Sequence, residues 1–412
     1  MSILETPAYE FNSSSPFEAI IQDPPDPEQE AIRQANLLGD TMLDGYIKER
    51  ESASLDRVAE LIGRVAVGRP EKIDGTEGFY NPAVWRHVAE NGDTYICMLG
   101  REVPMPAPGS ATEQEFTADG EPIIKGGPDV GSTVLKVLGP DGKIVSSKVI
   151  YEPKTGEPSY EDFRALLLED GSTLIFGLTV VEPDGTPYPG VLITTTEEVM
   201  AGTPTEPQIV RDLGSGDQTT PLDEEGVKFP GKNGTWIDQQ SFMFREEGKE
   251  NRHRLRVFSV KESVVEHEQY IELPKNIKWG EWAMGTCGSP EWTDKTHQEA
   301  FTLIHGVTIV NGRYEYAAAS ARLFRGKDGL LAIDNIDPDP LMTSALFENV
   351  VQRHEGRNAF YTVGQIAHHD EAGNLVQLEV FGSPGDSRTD RVPLDPRERI
   401  KHWKRPELDE AT

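Results

Sequence analysis

From about residue 79 onward the apolar residues fall in short runs separated by turn dipeptides, a pattern that predicts β-strands joined by tight hairpins. Runs such as Thr94–Leu99, Ser172–Gly177 and Ala300–Ile304 alternate with Asn91-Gly92, Asp119-Gly120, Asp141-Gly142, Asp170-Gly171, Asp184-Gly185, Asn233-Gly234, Asn311-Gly312 and Asp328-Gly329. These dipeptides supply the positive φ that two-residue hairpin turns need. Several hairpins share one plan, a strand, a glycine turn, an apolar strand and a longer polar connection, as in Phe163 to Leu178, Gly231 to Phe244 and Gln298 to Leu323. Hairpins without long helices among them mean a sandwich, a barrel or a propeller, and radial repetition of one unit is a propeller. The spacing alone does not fix the number of blades.

The N-terminal part reads differently. Residues 1–25 are Ser/Pro-rich without periodicity and predict an arm. Asp26 can cap a helix opened by Pro27, with Ala31, Ala35, Leu38, Met42 and Tyr46 at three- and four-residue spacing. Leu55, Val58, Leu61, Ile62 and Val65 continue the helical pattern, which stops before Gly68-Arg69-Pro70. The expected organisation is an arm (1–25), a helical extension (26–70), the β-domain (71–384) and a C-terminal tail (385–412). Packing against the β-domain is the plain role of the helices, and a homo-oligomer built through them is the other.

Charge narrows the classes of function. With a formal net charge of −30 the chain repels polyphosphate and anionic lipid, and no basic run offsets that, so neither a nucleic acid nor a membrane is an expected partner. No stretch of 18 or more apolar residues is present and no secretory pattern opens the sequence, which reads as cytoplasmic. Cys97 and Cys287 are too few for a disulfide scaffold.

Three segments carry candidate chemistry. In Tyr160-Glu161-Asp162-Phe163-Arg164 two carboxylates and a cation precede an apolar strand, so Asp162 is either an ion-paired residue or a channel-facing acid able to protonate a leaving oxygen. In Ile304-His305-Gly306-Val307, followed by Tyr314-Glu315-Tyr316, a histidine and an aromatic nine positions later are expected to converge at one rim across a hairpin. Asp223-Glu224-Glu225 precedes Lys228-Phe229-Pro230 and then Arg245; on composition alone it is a solvated acidic loop. His368-His369-Asp370 reads as a polar turn rather than a metal site, because neighbouring strand residues point to opposite faces. No metal or cofactor is expected. Trp236, Trp279, Trp282 and Trp292 divide between core and a sugar-stacking platform.

In their order these segments resemble glycoside hydrolase family 130. The resemblance rests on Asn81-Pro82-Ala83-Val84 ahead of a strand ending at Arg101, then Glu161-Asp162-Phe163-Arg164, Lys228-Phe229-Pro230 before Arg245, Gly288-Ser289-Pro290, Ile304-His305-Gly306-Val307 and Asp337-Pro338-Asp339-Pro340-Leu341. It covers roughly residues 79 to 350. It implies an all-β, five-bladed β-propeller with an N-terminal helical extension, acting on β-mannosides by phosphorolysis or hydrolysis. Asp162 falls on the aspartate of the family's Glu-Asp-Pro-Arg motif, the general acid, with Phe163 replacing the proline. Arg101, Arg164, His305 and Tyr314 fall on positions lining the sugar subsite. Where phosphorylases carry groups that hold phosphate, this chain has Glu224 and Glu225, which repel a dianion and are suited to activate water, the second half of an inverting mechanism. The expected function is therefore hydrolysis of a β-mannosidic linkage in an oligosaccharide, with inversion. A phosphorylase using inorganic phosphate as co-substrate, held by Arg101, Arg164, Arg245 and His305, is the first alternative, and a glycan-binding propeller without catalysis the second. About sixty residues between Arg101 and Glu161 exceed the expected spacing and form a lid or lengthen a blade.

Overall fold

The computed structural model describes residues 67–104, 115–116, 122–123, 131–212, 227–228, 230–261, 264–310, 313–327, 329–343, 346–347, 350, 352–353 and 357–404. The arm and all but the end of the expected helical extension lie outside them, as do Glu224 and Glu225.

Five sheets, almost wholly antiparallel, form the blades of a ring, and two further two-stranded ribbons lie outside them. The first blade is Phe79–Val88, Thr94–Glu102, Ser132–Leu138 and Ile144–Tyr151. The second is Ser159–Leu167, Thr173–Val181, Pro187–Thr195 and Gln208–Ile209. Gly231–Asp238, Ser241–Glu246, Arg254–Lys261 and Val264–Glu272 make the third. The fourth has Ala283–Thr286 and Glu291–Trp292 on its inner side, then Glu299–Val310, Arg313–Arg325 and Leu331–Asp334. The fifth is Phe360–His369, Leu375–Pro384, Asp390–Leu394 and, from the other end of the chain, Glu71–Lys72. The chain is thus an all-β five-bladed propeller.

One boundary differs from expectation. Residues 390–394 are the third strand of the last blade and Trp403 is packed in its core, so the stretch from 385 to 404 belongs to the propeller rather than to a tail. The long segment after Arg101 supplies the two outer strands that complete the first blade to four, the number in the second, third and fifth, and its residues 105–114, 117–121 and 124–130 lie outside the described ones. Glu71 pairs with Arg391 and Lys72 with Asp390, closing the ring between the ends of the domain. An ionic chain follows the closure: Arg391 bonds Glu71 and lies 3.6 Å from Glu379, which meets His368 at 2.7 Å, and His368 touches Arg86 of the first blade.

Each blade buries both faces, so alternate residues of a strand enter two different cores. In the second blade Leu174, Phe176, Leu178 and Val180 pack against Trp85, Cys97 and Leu99 of the first. Ile175 and Val191 turn the other way, onto Trp236, Phe242 and Phe244 of the third. Met243, Leu255 and Val257 of that third blade face the fourth, Phe301 and Leu303 of the fourth face the fifth, and Phe381 returns to Phe79 and Met98. Five blade-to-blade layers replace one central core, which is why the strands read as apolar runs rather than as alternating ones.

Towards the axis the blades approach until backbones touch. A Cβ placed on Gly177 would stand 2.3 Å from the Gly234 carbonyl oxygen of the next blade, and one on Gly364 would stand 2.4 Å from that of Pro82. Backbone cannot move aside as a flexible side chain can. Gly177→Ala is expected to cost about 1–3 kcal/mol through overpacking, read as a lower urea midpoint with an unchanged slope.

Candidate functional site

Three of the inner strands carry an irregularity at the same level. The register slips between Tyr80 and Ala83, between Glu161 and Arg164, and between Lys232 and Thr235. At each slip one residue adopts a left-handed backbone: Asn81 (φ 52°), Asp162 (φ 52°) and Asn233 (φ 63°). Asn and Asp tolerate that region better than other residues with a Cβ, and a bulge re-aims the side chain it carries. Asn233-Gly234, expected as a hairpin turn, is therefore one of these bulges inside strand Gly231–Asp238.

Asp162 is gripped from the side. Asn81 Nδ2 donates to its Oδ1 at 3.0 Å, while the Asn81 backbone N–H donates to Ser383 Oγ of the fifth blade at 2.7 Å. Two residues on, Arg164 is fully buried. Its Nε donates to the Cys287 carbonyl and its Nη1 to the Asp162 carbonyl at 2.9 Å, while Nη2 has no partner among the described residues. Burial lowers the pKa of this guanidinium and the nearby Asp162 supports its charge. Glu161, facing the other way, pairs with Arg101 at 3.0 Å, and Arg101 lies over the ring of Tyr80.

His305 is fully buried in mid-strand, paired with Ala318. Its pKa is pushed down to about 3, first by burial and then by Arg245 and Arg164, so the ring is neutral. Nδ1–H donates to the Thr286 carbonyl at 3.0 Å, which leaves Nε2 as an acceptor, buried and without a partner among the described residues. The Tyr361 ring stands 5.2 Å from His305 and 5.0 Å from Tyr316. Burial pushes its phenol well up; Tyr316 adds to this, Arg245 opposes it, and Asp162 and Asp386 add further. Arg245 also lies 4.0 Å from Glu247, which Lys232 contacts at 3.1 Å. Burial works against the Glu247 ion, yet these two cations outweigh it and hold the carboxyl below its usual range.

Asp162 and Arg245 are thus close enough to act on the charge of Arg164, both arginines act on His305, and Arg101 pairs with Glu161 next to Asp162. Tyr314 stands apart. The hairpin register sets it opposite Ile309 rather than His305, and its ring packs on Trp282, 5.0 Å away, in a small apolar cluster. Sequence reasoning passed over Tyr361, Asn233, Glu247 and Asp386. The repeat of Asn81, Asp162 and Asn233 near the start of successive inner strands is the signal that finds the second of these. His368 and His369 end a strand, engaged by Arg86 and Glu379 and by the Trp292 carbonyl. Among the described residues no group of three His, Cys, Asp or Glu is placed to hold a metal, both cysteines are free thiols, and no helix is long and apolar enough to cross a membrane.

No family model matches the chain, and no curated protein is matched by it. Solved structures similar to it include the exo-β-1,3-galactanase 1,3Gal43A of Clostridium thermocellum, with a TM-score of 0.42 and 9% identity, covering 80% of this chain and 62% of that one. The catalytic domain of the GH62 α-L-arabinofuranosidase of Coprinopsis cinerea gives 0.39 and 10%, covering 79% and 93%. CoXyl43, a GH43 β-xylosidase/α-arabinofuranosidase from a compost microbial metagenome solved with xylotriose, gives 0.40 and 10%, covering 79% and 93%. The chain spans less than two thirds of the galactanase. Families 43 and 62 are named there, not 130. At these scores no residue's role passes to this chain, and its architecture rests on its own strand pairing.

Two buried groups tie stability to pH in opposite directions. Unfolded, His305 takes up a proton below about pH 6.5, but folded only near 3, so stability falls as the pH drops from 6.5 towards 3. His305→Gln is expected to flatten that part of the thermal stability profile. In the fourth blade the carboxyl of Glu291, beside Gln365, is pushed up to about 8 by burial, with Gln365 and Arg86 opposing. The unfolded chain ionises it above about pH 4.5, so stability is lost as the pH rises from there to about 8. Glu291→Gln is expected to raise the melting temperature at pH 8 by several degrees and to leave it nearly unchanged at pH 4; an equal shift at both would contradict the buried neutral acid.

Proposed function

We propose that this propeller is a carbohydrate-active enzyme that cleaves a β-mannosidic linkage with inversion, water being the favoured acceptor. The observation that carries the reading is that, among the described residues, two buried polar atoms in the cluster around Arg164 lack a partner: Arg164 Nη2, a donor, and His305 Nε2, an acceptor. Leaving either unmatched costs free energy on the order of 1–3 kcal/mol. A sugar hydroxyl both donates and accepts, so its chemistry matches a free donor and a free acceptor alike. Tyr361 and Tyr316 add aromatic surface suited to the C–H face of a pyranose. The choice of mannose rests on the sequence resemblance to family 130.

In this reading Asp162 delivers its proton to the glycosidic oxygen as the bond to the anomeric carbon breaks, and Asn81 fixes the carboxyl rotamer. Arg164 and neutral His305 position the sugar. The carboxylates expected to activate water, Glu224 and Glu225, lie outside the described residues. The gathering of Arg101, Arg164, Arg245 and Lys232 in so acidic a protein supports a second reading, a phosphorylase in which these cations hold inorganic phosphate.

Incubation with a panel of β-mannosides, with and without phosphate, separates the two by product: free mannose independent of phosphate, or mannose 1-phosphate formed only in its presence. Asp162→Asn is expected to lower turnover by about 10²–10⁴-fold with ligand affinity nearly intact. A wild-type protein that binds mannosides and turns none over is instead a glycan-binding propeller.

A further inference from the structure

We infer that Asp386 is the second carboxylate of the site, the base that activates water opposite Asp162; this rests on the glycosidase reading above. Asp386 lies between Leu375–Pro384 and Asp390–Leu394 of the fifth blade. The first blade stands between the second and the fifth, and Asn81 touches both neighbours: its side chain holds Asp162 and its backbone N–H meets Ser383, three residues before Asp386. Asn81 thus joins the bulge that carries Asp162 to the strand end that leads into Asp386. Both also raise the pKa of the buried Tyr361 phenol, which places that hydroxyl within electrostatic reach of each. Tyr361, which pairs in register with Ser383, also has its ring 5.2 Å from that of His305, so the strand end leading to Asp386 adjoins the same cluster.

The backbone at Asp386 is held in position rather than left loose. Gly385 and Asp386 have φ 67° and 50°, and the Ser387 N–H donates back to the Pro384 carbonyl at 3.3 Å. The other hairpins with left-handed glycines put the glycine second, as in Asp141-Gly142 and Asp170-Gly171; here the order is reversed and the aspartate occupies the place glycine fills more easily. The turn is fastened to its surroundings by Gly78 N–H to Ser387 O and Gly385 N–H to Ala359 O, both 2.7 Å, and by Thr389 Oγ1 to Phe79 O at 3.0 Å. Asp162 shares the same rare conformation at φ 52°. Left-handed aspartates cost energy that a rigid surround must hold in place, a feature that clusters at active sites.

The step balances. Asp386 takes a proton from water as the water oxygen bonds to the anomeric carbon. The bond from that carbon to the glycosidic oxygen breaks, its electron pair leaves with the oxygen, and Asp162 supplies the proton that neutralises it. Asp386 ends protonated and Asp162 ionised, and solvent exchanges the proton back.

Asp386→Asn and Asp386→Gly test this in the full chain, the glycine variant because it adopts φ 50° without strain. With the β-mannosides that the wild type cleaves, kcat is expected to fall by about 10²–10⁴-fold while KM changes only a few-fold. Sodium azide, a nucleophile that needs no base, is expected to restore turnover in the glycine variant and to yield a glycosyl azide. It is expected not to rescue Asp162→Asn, which responds instead to a better leaving group. Near wild-type rates in both Asp386 variants, a loss that azide does not restore, or azide rescue of Glu224→Gln or Glu225→Gln instead overturns the assignment while leaving glycosidase activity standing. Turnover that requires phosphate also overturns it, since phosphate attacks without a base. A wild type inert on the whole panel overturns the glycosidase reading and this assignment with it.

Discussion

Everything distinctive about this site depends on how closely neighbouring blades approach at the axis. Five sheets that bury both faces must converge inward, and at Gly177 against Gly234 and Gly364 against Pro82 there is no room for a Cβ. Regular strands cannot all run through so narrow a ring with side chains alternating freely. The bulges at Asn81, Asp162 and Asn233 answer that constraint, since each extra residue lets the strand bend and turns one polar side chain out of the sheet. Blade packing and the orientation of Asp162 are thus one feature of the backbone, which is why Asp162 is gripped by a residue of the preceding blade rather than by its own strand.

Much of the architecture was legible because turns speak locally. Gly92, Gly142, Gly171 and Gly185 do occupy positive-φ turns, each following the Asn or Asp that the reading relied on. Asn233-Gly234 broke the rule because the same pair of left-handed-tolerant residues also suits a bulge, and only the neighbouring blade decides between them. The last blade was misread for a different reason: its third strand, Asp390–Leu394, carries a proline and a short apolar run, and its fourth comes from residues 71–72, more than three hundred positions away. No local signal records that pairing. Tyr361 and Asp386 were passed over with it. Tyr314 was placed by counting along the chain, whereas the hairpin register put Ala318 opposite His305.

The electrostatics of the site follow from burial more than from charge count. A guanidinium taken wholly out of water is tolerable only if its donors are matched, and Arg164 spends two of them on backbone carbonyls, which cannot ionise away. That fixes the fork rigidly and keeps a positive charge beside His305, which burial and two arginines then hold neutral. Neutrality gives the imidazole a lone pair at Nε2, so the neighbouring cation and histidine carry opposite hydrogen-bonding roles. Had His305 been protonated, both groups would donate, and the pocket would suit an anion far better than a hydroxyl.

The ring closure joins this chemistry to the stability of the whole. Glu71–Lys72 completes the fifth blade, and the chain of Arg391, Glu379, His368 and Arg86 carries that closure across to the first. Asp386 and Ser383 belong to the blade so closed, and Ser383 supports the same Asn81 that orients Asp162. Opening of the closing strand would therefore loosen both carboxylates together, whereas a blade built from one continuous stretch would move on its own. Local opening draws first on segments with few buried apolar contacts, and a two-residue strand whose side chains are exposed is such a segment. The residues that end the domain thus help hold Asn81 and Asp162 in register, so the geometry around Asp162 depends directly on the last blade.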